Sequence, residues 1–176
     1  LSLLGYLAPN TFYVDAKFND VVQRYLFQEK ISKEFLESNH RRESAIIEGD
    51  ERFFYRNRED IYAFGLARLV NESWAKKGPS SLLISTLAVN KANVAYLDYF
   101  YRYKPGRSSY LKSNLLAKNM SDIDNTQTYE ALMVAAGAPH GLGTNNRKFY
   151  YDPIYDYLEP IYYDGNVTFL DQPNGW

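Results

Sequence analysis

Between Thr11 and Lys30, aromatic and β-branched residues mix with polar ones at strand spacing. TFYVDAKF and VVQRYLFQEK flank an Asn19-Asp20 step, the chemistry of a tight turn, and predict a β-hairpin over residues 12–18 and 21–30. The interval then lengthens. In ISKEFLESNHRR, Ile31, Phe35 and Leu36 recur at helical spacing and Asn39 stands near the end, so a short helix follows. Beyond Glu48-Gly49-Asp50, the residues Ile61, Phe64, Leu66, Leu69, Val70 and Trp74 line one helical face that Gly78-Pro79 terminates. SLLISTLAVNKANVAYLDYFYRYKPG predicts a second helix closed by Pro105-Gly106, and SSYLKSNLLAKN a short third. A fourth begins after Asp124-Asn125, carries Tyr129, Leu132, Met133 and Ala136 on one side, and stops at Gly137 with Pro139 behind it. From Arg147 to Leu170 the pattern is β-like again. With no internal repeat or flexible linker, this order predicts one α+β domain over residues 1–176. Its β-hairpin lobe spans 1–57, and its helical lobe spans 58–176 and ends in a second hairpin.

Composition narrows the function classes. A chain of 176 residues that is 45% hydrophobic can bury a real core. Lys and Arg total 20 against 21 Asp and Glu, so the net charge of -1 supplies no field for a polyphosphate backbone, and no nucleic-acid partner is expected. No apolar run reaches the roughly 18 residues of a spanning helix, so no membrane span is expected. The opening LSLLGYLAPN has no basic stretch ahead of its apolar patch, so no intact signal peptide is expected either. The absence of cysteine excludes disulfides, thiolate metal sites and cysteine nucleophiles while leaving the compartment open. The first residues already read as part of a fold, which suggests a piece of a longer protein.

Candidate chemistry gathers in HGLGTNNRKFYY, residues 140–151, and EPIYYDGN, residues 159–166. A helix ends at Gly137, a Gly- and Asn-rich loop follows, and RKFYY and EPIYYD read as paired strands whose connection opens at Asp152-Pro153. Asn146 before the first strand and Asp164 after the second then stand at the same end. Amide oxygen and carboxylate make a hard-oxygen pair suited to Mg²⁺, which takes few protein ligands and leaves positions for substrate phosphates. The plainer alternative is that Asn and Gly shape a turn and Asp164-Gly165 is a turn signal.

The segments YLAPNTFYVDAKFND, YLFQEK, EGDE, HGLGTNNRKFYY and EPIYYDGN resemble the CotH kinase family, atypical protein-kinase-like phosphotransferases first known from spore coats. The similarity covers most of the chain and is strongest at its two ends. It implies a protein-kinase-like two-lobed fold, ATP and Mg²⁺ as cofactors, a protein or glycan hydroxyl as acceptor, and an extracytoplasmic or cell-surface location. Family members carry a catalytic loop of the form D-x-x-x-x-N, then a hairpin and a metal-binding aspartate. On that pattern Asn146 matches the loop asparagine and Asp164 the metal-binding aspartate. Five residues before Asn146 stands Gly141, where the pattern has its aspartate. Adjacent His140 titrates near neutrality and is the candidate base. Reading Asn145 as the loop asparagine puts His140 in the aspartate position itself and makes Asn145 a cofactor-binding candidate. The alternative for His140 is a histidine capping the turn after Pro139. Asp152 and Asp156 are fallback carboxylates.

Glu29 resembles the family's glutamate at the end of a strand in the nucleotide-side lobe, where it would contact ATP or orient a lysine; otherwise it is an exposed strand residue. Lys17 and Lys30 are candidates to meet phosphates, although the family's phosphate-binding lysine belongs to an earlier strand that this chain lacks. NHRRES and GDERFFYRNRED read as a solvated charged face, with Arg41 and Arg42 available to an acidic acceptor. The tyrosines between Tyr150 and Tyr163 are either a carbohydrate-stacking surface or core and cross-strand pairs. Two functions compete: a Mg·ATP-dependent phosphotransferase, or a catalytically impaired pseudokinase acting as an extracytoplasmic glycan-binding or coat-assembly module. The glycine at 141 favours the second.

Overall fold

Asn19 and Asp20 both adopt left-handed backbone, with φ of 47° and 63°, the geometry that joins antiparallel strands through a two-residue turn. They connect β1 (Thr11–Phe18) to β2 (Val21–Gln28), whose register pairs Phe18 with Val21 and Thr11 with Gln28. Cross-strand partners Phe12 and Phe27 stack at 4.8 Å, and Asp15 meets Arg24 at 2.9 Å in solvent, where such a pair contributes little. Nearly every residue of this hairpin is exposed, so the mixed pattern of its sequence does not hide one face. Helix α1 (Lys33–Ser38) follows and buries Phe35 and Leu36 completely. A computed structural model describes residues 1–50, 66–102 and 110–167. It divides the chain into two compact units, Leu1–Glu43 and Ser44–Trp176, and the hairpin and α1 belong to the first.

The second unit is built on a four-stranded antiparallel sheet of order β4-β3-β5-β6, formed by β3 (Ile46–Gly49), β4 (Ala67–Leu69), β5 (Lys148–Asp152) and β6 (Tyr157–Ile161). One face packs on α3 (Pro79–Arg102), whose inward Ala88, Ala92 and Ala95 let the helix lie close against the sheet. Around them close Tyr96, Ile47, Phe149, Tyr151 and Leu158, together with Leu116 from α4 (Ser113–Leu116). Each such large apolar side chain stabilises the fold by roughly 1.5–3 kcal/mol. Helix α5 (Met120–Ala135) packs on β6, where Thr126 and Asn125 hydrogen-bond the Tyr157 hydroxyl at 3.1 and 3.2 Å. The fold is thus α+β, with two small antiparallel sheets and several helices. Among the described residues no helix is long and apolar enough to cross a membrane.

Two expectations need correction. The helix drawn through Leu66, Leu69 and Val70 is instead strand β4, followed by the one-turn helix α2 (Glu72–Ala75); Ile61 and Phe64 lie outside the described residues. Tertiary partners decide this. Leu69 pairs with Ile47, the Asn93 side chain accepts the Ala67 amide at 2.8 Å, and Asn71 takes the Ile46 amide at 2.9 Å while donating to Ser44. The fourth helix starts at Met120, ahead of Asp124-Asn125, because Asn119 caps it by accepting the Asp122 amide at 2.8 Å. The expected lobe boundary at 57/58 lies outside the described residues; of the two compact units, the second begins at Ser44 and includes β3, which pairs with β5.

Candidate functional site

The loop that carries the candidate chemistry begins where α5 ends. Gly137 takes φ of 65°, the Ala138 amide reaches back to the Met133 carbonyl at 2.8 Å, and the Gly137 amide to Val134 at 3.0 Å, which together close the helix with a Schellman turn. Pro139–Leu142 then forms one 3₁₀ turn, and the Asn146 and Arg147 amides both donate to the Gly143 carbonyl at 3.0 Å. Two successive tight turns fold residues 138–147 back on themselves.

Four residues hold that loop. The Arg147 side chain is 2% exposed; its Nε donates to the Leu142 carbonyl at 3.2 Å and its Nη2 to Glu130 of α5 at 2.5 Å. The Tyr96 hydroxyl, kept protonated because burial pushes its pKa up, donates to the Thr144 carbonyl at 3.0 Å. Gly49 lies so near that a Cβ there would sit 1.9 Å from the Thr144 oxygen. A Cβ on Gly141 would meet the Met133 methyl at 2.7 Å and the Tyr163 carbonyl at 2.8 Å.

On this frame His140, Asn146 and Asp164 come together. The strands pair Lys148 with Ile161, so the chain enters β5 and leaves β6 at one end of the sheet. Asp164, in left-handed backbone at φ 44°, places Oδ2 3.3 Å from His140 Nε2. The Asn146 amide nitrogen lies 2.9 Å from the same Nε2 and donates to the His140 carbonyl at 3.2 Å. Asn145 donates to the Asn146 amide oxygen at 3.4 Å. His140 therefore stands between the two residues expected to hold a metal, and the Asn146 nitrogen rather than its oxygen faces it. His140 and Asp164 are about half exposed, at 57% and 53%, while Asn146 is buried. Among the described residues no group of three or more His, Cys, Asp or Glu side chains converges on a common metal position.

The other candidates are placed elsewhere. Glu29 belongs to the first unit, where its Oε2 accepts from the backbone and side chain of Asn10 at 3.0 and 2.9 Å and ties the open end of the β1–β2 hairpin. Lys17 pairs with Asp20 at 2.7 Å. Asp152 caps the β5–β6 turn by accepting the Ile154 amide at 2.8 Å. Asp156 is held by Lys118, Lys91 and the Tyr151 hydroxyl at 2.8, 3.2 and 2.8 Å. Both fallback carboxylates thus sit at the far end of that hairpin from Asn146 and Asp164. Phe149, Tyr150, Tyr151 and Tyr157 are buried, which makes the central tyrosines core rather than a stacking surface.

Sequence reasoning gave no role to a row of charges across three strands. Arg68 of β4 and Lys148 of β5 both pair with Glu48 of β3, and Lys148 Nζ lies 4.1 Å from the centre of the Tyr163 ring, next to Asp164. The Glu48 and Lys148 side chains are only 10% and 13% exposed, so the pairing neutralises charge that burial would otherwise penalise. Only strand register brings these residues side by side: Glu48 opposes both Arg68 and Lys148. Compared with protein-family models, curated proteins and solved structures, the chain matches none.

Proposed function

We propose that the chain is part of a Mg·ATP-dependent phosphotransferase of the CotH kinase type, with a protein-kinase-like two-lobed fold and a protein or glycan hydroxyl as acceptor. The observation that carries the reading is the convergence of His140, Asn146 and Asp164 at one end of the β5–β6 hairpin, with Asn145 alongside. Asp164 is the metal-binding carboxylate in this proposal. Asn146 and Asn145 shape the loop beside the phosphates. Positioning and charge neutralisation supply most of the rate in phosphoryl transfer, so a site of this kind demands little covalent chemistry of the protein.

The second reading, a nucleotide- or glycan-binding module without transferase activity, draws on Gly141. The crowding there leaves no room for the carboxylate that kinase loops carry at this position. Thermal shift with ATP, Mg²⁺ and both together tests the nucleotide site, since a ligand bound only by the native state raises the melting temperature. Radiolabelled phosphate transfer to the protein itself and to glycan acceptors tests the chemistry. Stabilisation by ATP plus Mg²⁺ with transfer supports the first reading, stabilisation without transfer the second, and no response to either ligand rejects the nucleotide site altogether.

A further inference from the structure

Helix α3 is apolar on two sides. Opposite the alanines that face the sheet, Leu83, Leu87, Asn90, Val94, Leu97 and Tyr101 recur at alternating intervals of four and three residues. At about 100° per residue they stay within about 40° of one line and make a seam about 27 Å long. All six are exposed, the five apolar ones by 47 to 91%. The seam carries no charge. The charged residues of α3, Lys91, Asp98 and Arg102, turn to partners within the chain: Lys91 pairs with Asp156 at 3.2 Å, and Asp98 with Arg102 at 2.7 Å. A helix that is hydrophobic on all sides is a buried helix, and an uncharged apolar strip of this length marks an interaction face.

We propose that this seam is the interface of a homodimer, in which α3 of one copy lies parallel to and in register with α3 of a second copy. Alternating steps of four and three residues are the repeat that keeps two helices in contact along their length. The area suffices: the seam offers about 650 Å² per copy, so a pair buries about 1,300 Å², within the range of specific interfaces. An uncharged face asks for no complementary charge, and its own twin fits it. Asn90 selects both partner and orientation. In a parallel pair the two Asn90 amides meet and hydrogen-bond each other, whereas the antiparallel pairing that keeps the whole seam in contact sets each amide against Val94 and leaves it unsatisfied. A foreign apolar face would leave it unsatisfied too. Lipid suits the face poorly, because helices that lie on a membrane carry outward lysines and arginines on their polar side, and Lys91 and Arg102 are engaged in ion pairs. The proposal goes beyond the phosphotransferase reading and does not depend on it.

The test is the mass of the full chain by sedimentation equilibrium, from low to high micromolar concentration. It should approach twice the 20.4 kDa of one chain. Val94→Glu should weaken association by at least about a hundredfold, since each copy brings an unpaired carboxylate into the seam. Its circular dichroism spectrum should be unchanged, because the residue is exposed. The chain has no cysteine, so one introduced thiol reports contact directly. Asn90→Cys should give a disulfide-linked dimer under mild oxidation, while Val134→Cys, exposed on α5, should not. This linkage keeps the test decisive if Val94→Glu folds poorly. A monomer at every concentration, association unmoved by Val94→Glu, or Val134→Cys linking as readily as Asn90→Cys overturns the inference. A monomer that binds phosphatidylcholine vesicles, and is released from them by Val94→Glu, also overturns it and assigns the seam to a lipid surface.

Discussion

Substituting Gly141 by alanine adds one methyl group at a crowded point of the candidate site. Gly141 is not among the residues with positive φ, so alanine fits the backbone and the effect is one of contact. Its Cβ would meet Met133 Cε at 2.7 Å, the Tyr163 carbonyl oxygen at 2.8 Å and Gly165 Cα at 3.2 Å. The methionine methyl can swing aside at low cost, but the other two atoms are backbone, and the segment they bracket carries Asp164. Overpacking of this kind costs about 1–3 kcal/mol, offset by about 0.4–1 kcal/mol from the stiffer unfolded chain, for a net loss of about 1–2 kcal/mol. For a unit of this size that corresponds to a fall in melting temperature of roughly 3–10 °C. The assay is thermal denaturation followed by circular dichroism, paired with histidine ring resonances, which should shift as Asp164 moves away from His140. Gly141→Asp should be worse still and should not confer transfer activity, because the added carboxylate has no space. A Gly141→Ala protein that melts like the unaltered one, with unmoved ring resonances, would refute the claim that close backbone approach fixes the site.

Two further outcomes follow from the surrounding contacts. At Asp156, burial pushes the carboxyl pKa up, but the bonds from Lys118, Tyr151 and Lys91 outweigh it and hold the group below its usual range. Its contribution to stability is therefore present above the unfolded value near 3.9, and urea melts of the native protein and Asp156→Asn should differ by a constant amount from pH 7 to about 5 and converge below about pH 4; a gap that widens in acid would contradict the sign. Tyr96→Phe removes the bond to the Thr144 carbonyl and should cost about 1 kcal/mol in urea denaturation, with faster amide exchange over residues 143–147; exchange unchanged there would show that the hydroxyl does not anchor the loop.

Elements governed by neighbours in sequence were legible before any coordinates. The Asn19-Asp20 turn, the long α3 and the β5–β6 hairpin each carry their own local signal, and the hairpin alone was enough to place Asn146 and Asp164 at one end. Strand β4 was not legible, because three residues offer no periodicity and their identity is set by Ile47, Asn71 and Asn93, between two and some twenty-five positions away. The start of α5 was missed for a different reason: Asn119 with Asp122 is a helix-start signal that the apolar run from Tyr129 overshadowed. The pairing of Arg68 and Lys148 on Glu48 depends on strand order, which periodicity does not contain. Gly141 read as a missing aspartate in sequence, whereas in space it is a position where any side chain collides.

The central place of β3 in the sheet has a consequence for biogenesis. Glu48 meets Lys148, which lies 100 positions further along the chain, so on the ribosome β3 is finished long before its second neighbour exists. With β4 alone beside it, β3 leaves one edge unpaired and carries Ile46 and Ile47, both fully buried in the end, next to that edge. Such an edge is a template for pairing with other chains, and closing a loop of this length delays its protection. Truncation within α5 would therefore yield an aggregating product rather than a smaller folded unit, and chaperone demand should peak in the interval between synthesis of β4 and β5.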